Sequence, residues 1–196
     1  MRKLLIATHN KGKLREYQAL LRGIPFRLTS LAEEGLEIKV EEMGNTYEDN
    51  AILKATTYAK ASGLITLADD SGLEVDALNG EPGLRSARYG GLGTDEERYW
   101  LLLERLKGVP WERRKARFRC IIAIASPRGW VETFEGICEG VITFEPRGTS
   151  GFGYDPVFYL PELGCTMAEL SPEQKNQISH RAKAARKAKD FLCRLI

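Results

Sequence analysis

The chain has 196 residues, of which 43% are hydrophobic, enough for one large domain or two small lobes with a sizeable core. Lys and Arg number 29 against 27 Asp and Glu, and a net charge of +2 argues against a general nucleic-acid binder, which would be more basic. No apolar run approaches the ~20 residues that span a bilayer, and the N-terminal LLIA is too short for a signal peptide, so we expect a cytoplasmic protein without a membrane partner.

The first half of the chain alternates strand-like and helix-like segments. Residues 3–7 and 26–30 predict strands. A helix is predicted between them by apolar residues at helical spacing, namely Leu14, Tyr17, Leu20 and Leu21. Thr46 begins a second helix, with Asp49 in the position of a capping-box acid. Its apolar face is Ala51, Ile52, Ala55, Tyr58 and Ala59. The apolar run 64–68 predicts a strand that ends at Asp69 and Asp70.

The second half predicts a hairpin followed by helices. Thr94 and Glu97 form a capping box for a helix that ends near Lys107. Residues 116–126 and 130–145 are strand-like runs joined by a Pro-Arg-Gly turn, which indicates an antiparallel hairpin. Ser171 begins a further helix, and Ser179 is a candidate cap for the last one. Its inward face is predicted to be Ala182, Ala185, Leu192 and Ile196. These elements predict an α/β fold with a mixed sheet.

The turn after the first strand is a candidate anion site. Thr8 and Asn10 are short donors, Gly12 lies in the turn, and Lys11 and Lys13 add cations at the start of a helix. A helix N-terminus offers free N–H groups and partial positive charge to an anion. The plain alternative is that Asn10 only caps the helix and the lysines are solvated.

Acidic residues suggest a metal site. They are Glu41, Glu42, Asp69, Asp70, Glu74 and Asp76, which form a cluster if residues 41 and 70 meet in the fold. Oxygen ligands without His or Cys suit Mg²⁺ or Mn²⁺. The four cysteines are dispersed and only two histidines occur, so a zinc site is not expected. The alternative for Asp69 and Asp70 is a solvated turn or an Asx cap.

Two further segments carry candidate ligand contacts. Gly151 and Gly153 flank Phe152, whose ring could stack on a base or could instead belong to the core. Lys175 lies upstream of His180 and Arg181, which would stand as clustered donors at the start of the last helix. Basic residues are disfavoured there by the helix dipole, so their placement indicates a role other than stability.

Six motifs together give the chain a family resemblance. They are Thr8-x-Asn10-x-x-Lys13-x-x-Glu16, Asn50-Ala-x-x-Lys54-Ala, Ala68-Asp-Asp-Ser-Gly72, Ser86-Ala-Arg-Tyr89, Gly151-Phe-Gly-Tyr-Asp-Pro156 and Ser179-His-Arg181. Because these motifs occur in this order over nearly its whole length, the chain resembles the inosine triphosphate pyrophosphatases, also called dITP/XTP pyrophosphatases.

The resemblance implies one two-lobed domain over residues 1–196, with an elongated mixed sheet, flanking helices and an active-site cleft between the lobes. It implies a homodimer and Mg²⁺-dependent hydrolysis of ITP, dITP and XTP to the monophosphate and pyrophosphate. This activity removes such nucleotides from the pool.

The resemblance also assigns site residues. The segment Thr8 to Lys13 is expected to hold the phosphates, Asp70 to act as general base and metal ligand, and Glu41 to be the second metal ligand. The other expected substrate contacts are Lys54, Ser71, Phe152, Gly153, Tyr154, Asp155, Lys175, His180 and Arg181. One departure is His9, where some relatives carry Gly. A histidine is less easily tolerated there if the backbone needs a positive φ, and its role is left open.

Two other functions remain as alternatives. One is a different metal-dependent phosphohydrolase, such as a nuclease or a general nucleotide pyrophosphatase. The other is an RNA-binding module that uses basic residues of the last helix, namely Arg181, Lys183, Arg186, Lys187 and Lys189. A solvated helix face is the simpler explanation of these residues.

Overall fold

A computed structural model describes residues 1–195. Within this range the chain forms seven strands and five α-helices. Their bounds are β1 Arg2–Ile6, α1 Lys11–Leu20, β2 Phe26–Ser30, α2 Tyr47–Ser62, β3 Ile65–Val75, α3 Asp95–Arg105, β4 Lys115–Ala125, β5 Val131–Ile142, β6 Phe158–Leu160, β7 Cys165–Thr166, α4 Pro172–Ile178 and α5 His180–Arg194. None of the helices within residues 1–195 is long and apolar enough to cross a membrane.

All seven strands belong to one sheet with the order β2-β1-β3-β4-β5-β6-β7. β1 runs parallel to both β2 and β3, whereas β6 is antiparallel to β5 and β7. β4 and β5 are neighbours joined by a tight turn, in which Ser126 N donates to Trp130 O and Gly129 N to Ser126 O. The predicted α/β class with a mixed sheet is therefore confirmed.

The chain divides into two compact units, each with its own apolar core. The first comprises residues 1–70, 120–136 and 181 onward, and the second comprises residues 71–119 and 137–180. The first core includes Leu4, Ile6, Tyr17, Phe26, Ile122 and Leu192. The second includes Leu73, Leu102, Phe118, Tyr154, Phe158 and Met167. The assignment of residues 1–196 to one two-lobed domain stays a prediction.

The predicted helix starts are confirmed by their caps. Thr46 Oγ1 accepts from Asp49 N at 3.0 Å, ahead of α2. Thr94 with Glu97, and Ser171 with Gln174, form reciprocal capping boxes at α3 and α4. Such caps satisfy backbone N–H groups that have no partner inside the helix. Side chains on the predicted inward faces of α2 and α5 are buried, except that Ile52 is half-buried and Ile196 lies outside the described residues.

Two strand boundaries were predicted wrongly. β3 does not end at Asp69 and Asp70 but continues to Val75, because Ser71 and Gly72 stay extended instead of turning. The parallel partner β1 ends at Ile6, which pairs with Leu67, so both aspartates lie beyond the end of that partner. β5 ends at Ile142 rather than near residue 145, because Thr143 Oγ1 donates to Glu145 O at 2.7 Å and closes a turn there.

Candidate active site

The turn at residues 8–13 leads from β1 into α1. Asn10 Oδ1 accepts from Lys13 N at 3.0 Å, and Thr8 Oγ1 accepts from Asn10 N at 3.2 Å. Asn10 is thus a helix cap, as the plain alternative held. Lys13 is not solvated, however, because its ammonium lies 3.0 Å from Asp69 Oδ2 and its side chain is 16% exposed. Lys11 is exposed and Gly12 is half-buried.

His9 occupies this turn without backbone strain. Among residues 1–195, the only non-glycine residue with positive φ is Asn79. The conformation at position 9 therefore does not require glycine, and a side chain is tolerated there.

Asp69 is a buried counter-ion for two cations of the first unit. Its side chain is 2% exposed, and its Oδ2 lies 3.0 Å from Lys13 Nζ and 3.6 Å from Arg181 Nε. Burial by itself raises the pKa of the Asp69 carboxyl, but Lys13 and Arg181 outweigh burial and hold the pKa well below its usual range. Asp69 is therefore ionised and committed to its cations.

Arg181 is held by carboxylates on both sides. Its side chain is 2% exposed, and its Nη1 donates to Glu16 Oε2 at 2.7 Å in addition to the Asp69 contact. Burial lowers the pKa of the guanidinium, but Glu16 and Asp69 outweigh this and raise it well above its ordinary value. Glu16 was quoted in a motif but not assigned to the site. Its place one helical turn after Lys13 was the available signal.

Asp70 has surroundings unlike those of Asp69. Its Oδ2 accepts from Asn50 Nδ2 at 2.9 Å. Burial raises the pKa of the Asp70 carboxyl and Glu42 adds to the rise, whereas Lys54 and Asn50 oppose it, and the net pKa lies above its usual range. A desolvated carboxylate of this kind is a better proton acceptor than an ordinary aspartate.

Three side chains of α2, spaced four residues apart, attach the 36–46 loop to the helix. Asn50 Oδ1 accepts from Gly44 N at 2.7 Å, Lys54 Nζ donates to Glu42 Oε1 at 2.5 Å, and Tyr58 Oη donates to Ile38 O at 2.6 Å. Residues at this spacing share one face of a helix. Asn50 was missed as a site residue, although its position four residues before Lys54 was a signal.

Lys54 is the cation that most strongly lowers the pKa of the Asp70 carboxyl. Its side chain is 14% exposed. Burial lowers the pKa of the Lys54 ammonium, but Asp69, Asp70 and Glu42 outweigh burial and raise the pKa above its ordinary value. Lys54 therefore stays charged beside these carboxylates.

The acidic cluster of six residues is not formed. Within residues 1–195 there is no group of three or more His, Cys, Asp and Glu residues arranged to hold a metal ion. Glu74 and Asp76 instead pair with arginines of the second unit: Asp76 Oδ1 lies 3.0 Å from Arg117 Nη2, and Glu74 Oε1 lies 3.4 Å from Arg119 Nη1. Asp69 and Asp70 are also separated from each other, because successive side chains of a strand point to opposite faces of the sheet.

The remaining carboxylates still fit a magnesium site. Mg²⁺ keeps several waters and is usually held by one or two carboxylates together with substrate phosphates. Burial and the charge of Glu42 both disfavour the ionised form of Asp70. A cation there would offset both by stabilising the carboxylate. Glu42 is half-buried, and Glu41 is exposed beside it on the 36–46 loop.

In the second unit, Phe152 is presented by a loop built around Asp155. Asp155 Oδ2 accepts from Phe152 N at 3.1 Å and lies 2.6 Å from Lys175 Nζ, which in turn lies 4.5 Å from the centre of the Phe152 ring. Gly151 has φ +76°, and a Cβ there would clash with Asp155 Oδ2. Phe152 is half-buried, and within residues 1–195 it is not part of the core.

Two of the other predicted contacts, Tyr154 and His180, are buried, whereas Gly153 and Ser71 are half-buried like Phe152. Tyr154 belongs to the core, its hydroxyl donates to Ser86 O at 2.7 Å, and burial raises its pKa. Gly153 N donates to Asp95 Oδ2 at 2.8 Å, and Ser71 is half-buried in β3. His180 is 4% exposed and stacks on Phe118, with ring centroids 4.6 Å apart. The substrate roles of these residues stay predictions.

The chain belongs to the Ham1 family, whose model matches residues 4–191. The match includes the mixed sheet, the lysine-bearing turn after β1 and the paired aspartates of β3. Among curated proteins it is 53% identical to the dITP/XTP pyrophosphatase of Desulforamulus reducens, over 98% of this chain and 96% of that protein. It is 47% identical to the dITP/XTP pyrophosphatase of Bacillus subtilis, over 98% of each chain. The resemblance inferred from the motifs is confirmed.

Solved structures support the same fold. The Ham1 protein of Staphylococcus aureus is 43% identical, with a TM-score of 0.87 over 97% of this chain and 98% of that one. A HAM1 protein from Coxiella burnetii is 42% identical, with a TM-score of 0.89 over 98% of each chain.

Proposed function

We propose that this chain hydrolyses non-standard purine nucleoside triphosphates, namely dITP, XTP and ITP, to the monophosphate and pyrophosphate. The printed names of its relatives support this substrate class. The observation that carries the proposal is the pair Asp69 and Asp70. Asp69 is ionised and paired with Lys13 and Arg181, and Asp70 is a desolvated carboxylate with a raised pKa. Such a pair supplies a fixed cation array beside a base.

The phosphates are assigned to the first unit. Lys13 lies at the start of α1, where Asp69 fixes its ammonium. Lys54 adds a second cation, and its side chain is mostly buried. Thr8, Asn10, Lys11 and Gly12 complete the turn, whose helix N-terminus favours anions. Fixed cations of this kind stabilise the charge that develops on a leaving pyrophosphate.

Asp70 is assigned as the general base. A water molecule attacks the α-phosphorus and transfers its proton to the Asp70 carboxylate, while a new P–O bond forms. The bond from the α-phosphorus to the bridging oxygen breaks, and its electron pair leaves with pyrophosphate. The raised pKa of Asp70 brings its basicity nearer to the working pH, where a general base is most effective.

Asp70, with Glu41 as the second ligand, is assigned to hold Mg²⁺. Glu42 is the neighbouring candidate for that second position, because it is the residue that interacts with Lys54 and Asp70. When bound, Mg²⁺ would neutralise negative charge on the triphosphate.

The base is assigned to residues outside the phosphate turn. Hypoxanthine and xanthine carry a 6-oxo acceptor, whereas adenine carries a 6-amino donor. The stacking surface is assigned to Phe152, whose loop includes Gly153, Tyr154 and Asp155. The remaining contacts, by resemblance, are Ser71, Lys175, His180 and Arg181. Donors that face a 6-amino group leave both partners unsatisfied, so ATP should be rejected.

The proposal also covers organisation and partners. Each chain is one two-lobed domain, two chains form a cytoplasmic homodimer, and the protein binds neither nucleic acid nor membrane. RNA binding through α5 is less well supported by the contacts. Lys187 Nζ donates to Glu135 O, Lys189 Nζ donates to Arg22 O, and Arg181 is buried. At least three of the five basic residues are thus engaged within the chain.

A panel of nucleoside triphosphates with Mg²⁺ tests the proposal. We expect ITP, dITP and XTP to yield the monophosphate and pyrophosphate in equal amounts, and ATP to react very slowly. Release of inorganic phosphate instead, or equal turnover of all nucleotides, would indicate a different phosphohydrolase. RNA retention lost at modest salt, without turnover of ITP, would favour the binding module.

A further inference from the structure

The 36–46 loop carries both candidate metal-ligating glutamates but forms neither helix nor strand. Its position is therefore set by individual contacts rather than by a sheet or helix. Asn50, Lys54 and Tyr58 supply such contacts from α2. All three lie on the same helix, so they leave open what aligns the loop with the turn at residues 8–13.

His9 supplies a contact from that turn. Its Nε2 lies 3.3 Å from Ile38 O and 3.1 Å from Tyr58 Oη. The rings of His9 and Tyr58 meet edge-on, with centroids 6.4 Å apart and an interplanar angle of 63°. The turn, the loop and α2 thus meet in one triangle of polar atoms formed by His9, Ile38 and Tyr58.

The proton positions in this triangle follow from its acceptors. Ile38 O can only accept, and it lies 2.6 Å from Tyr58 Oη, so the single hydroxyl proton of Tyr58 points to it. His9 Nε2 then faces two oxygens, neither of which has a proton left to donate to it. His9 therefore carries its proton on Nε2, which donates to Tyr58 Oη and Ile38 O.

We propose that His9 is a positioning residue that fixes the 36–46 loop, and with it Glu41 and Glu42, against the turn that carries Lys13. The imidazole provides this link through one side chain, which glycine at the same position cannot do. The consequence for catalysis rests on the proposed function, because it requires those glutamates and Lys13 to act on one metal-bound triphosphate. The link itself does not rest on that function.

Amide hydrogen exchange tests the link directly. In His9→Ala we expect exchange of the Gly44 amide, whose partner is Asn50 Oδ1 in the wild type, to rise about threefold to tenfold, as for the loss of one net hydrogen bond. Tyr58→Phe should have the same effect, and the double variant should add little to either, because both changes break one triangle. His9→Gln keeps a donor and should restore part of the protection. Lys60→Ala, on an exposed part of α2, is the matched control.

Nitrogen NMR of the imidazoles tests the proton position, since the chain has only two histidines. The wild type should show His9 protonated on Nε2, and Tyr58→Phe should shift that resonance. Protonation on Nδ1 alone, or exchange in His9→Ala equal to that in Lys60→Ala, would overturn the proposal.

Kinetics with ITP separate the positioning role from a general structural one. In His9→Ala the Mg²⁺ concentration for half-maximal rate should rise about threefold to tenfold, with little loss of kcat at saturating Mg²⁺ and ITP. A fall in kcat with unchanged Mg²⁺ dependence would contradict positioning of the metal-ligating loop. If the wild type does not hydrolyse ITP, the proposed function fails, and the exchange experiment still decides whether His9 holds the loop.

Discussion

Asp69 and Asp70 are neighbours in β3 whose carboxylates have opposite electrostatic surroundings. Asp69 Oδ2 lies 3.0 Å from Lys13 Nζ, and cations lower its pKa despite complete burial. Asp70 Oδ2 accepts from Asn50, and burial together with Glu42 raises its pKa. Successive side chains of a strand point to opposite faces, so adjacent carboxylates need not share an environment. One sequence motif thereby holds both a counter-ion and a candidate base.

Replacing Asp70 with Asn should nearly abolish ITP hydrolysis without unfolding the chain. Asn keeps the shape and can still accept from Asn50, but it cannot take a proton or bind Mg²⁺ as a carboxylate does. Initial rates and a thermal melt check this. Asp76→Asn, the same change at an exposed acid in a surface ion pair, is the matched control and should stay near the wild type. Full activity of Asp70→Asn, or of the wild type in EDTA, would eliminate the metal-carboxylate mechanism.

The two aspartates should affect stability with opposite dependence on pH in metal-free buffer. The pKa of Asp69 is lower in the folded chain than its usual value of about 3.9. Its contribution to stability is therefore present above that pH and is lost on further acidification. The pKa of Asp70 is raised by folding, so its ionisation disfavours the folded state as the pH rises through the usual value towards the folded one.

At neutral pH, Asp69→Asn should therefore destabilise the chain, by about 3 kcal/mol or more for an uncompensated buried ion pair. Asp70→Asn should stabilise it. Denaturant unfolding at several pH values measures both changes. The same sign of effect for the two variants at neutral pH would show that their environments do not differ as the contacts indicate.

Lys13→Ala should lower kcat/KM for ITP by about tenfold or more, comparable to one charge-assisted contact of ~1.5–3 kcal/mol. The substitution removes the cation that Asp69 fixes at the phosphate turn. Lys3→Ala removes a more exposed lysine paired with Glu34 and serves as the control, with kcat/KM expected to be unchanged. An unchanged kcat/KM in Lys13→Ala would show that the turn at residues 8–13 only caps α1 and does not bind the phosphates.

Arg181→Ala should lose most activity on ITP and narrow the ratio of ITP to ATP turnover. If Arg181 reads the 6-oxo group, its loss removes a discrimination that can reach factors of ~10⁴. The substitution also leaves the half-buried Glu16 and the buried Asp69 without this cation, so stability should fall as well. Glu16→Gln perturbs the same ion pair but keeps the guanidinium. It therefore separates a loss of stability from a loss of base discrimination. Equal losses on ITP and ATP would assign Arg181 to the phosphates or to the fold.

Gly151→Ala should destabilise the Phe152 loop more than a positive φ alone explains. Left-handed backbone costs a non-glycine residue roughly 1–2 kcal/mol, and a Cβ here would also displace Asp155, which holds Phe152 N and Lys175. Gly164→Ala is the control, because Gly164 has φ +67° but open space around a Cβ. Equal losses of unfolding free energy in the two variants would show that Asp155 moves aside without cost.

The sequence by itself determined the local structure and the family. Helix starts at Thr46, Thr94 and Ser171 were readable because a cap satisfies backbone donors within a few residues of itself. The strands β1 and β2 were readable from short apolar runs, and six ordered motifs sufficed for the family. These features depend on neighbours along the chain, which the sequence displays directly.

Only the tertiary structure decided which charges meet. Nothing near Asp69 in sequence indicates that Lys13 and Arg181 neutralise it, since they lie far away along the chain. The end of β3 was misplaced for the same reason: a strand is completed by neighbouring strands, and Ser71 and Gly72 resemble a turn without them. A pKa depends on every charge and apolar atom packed around a carboxyl group, so two adjacent aspartates with the same local sequence acquired different chemistry only on folding.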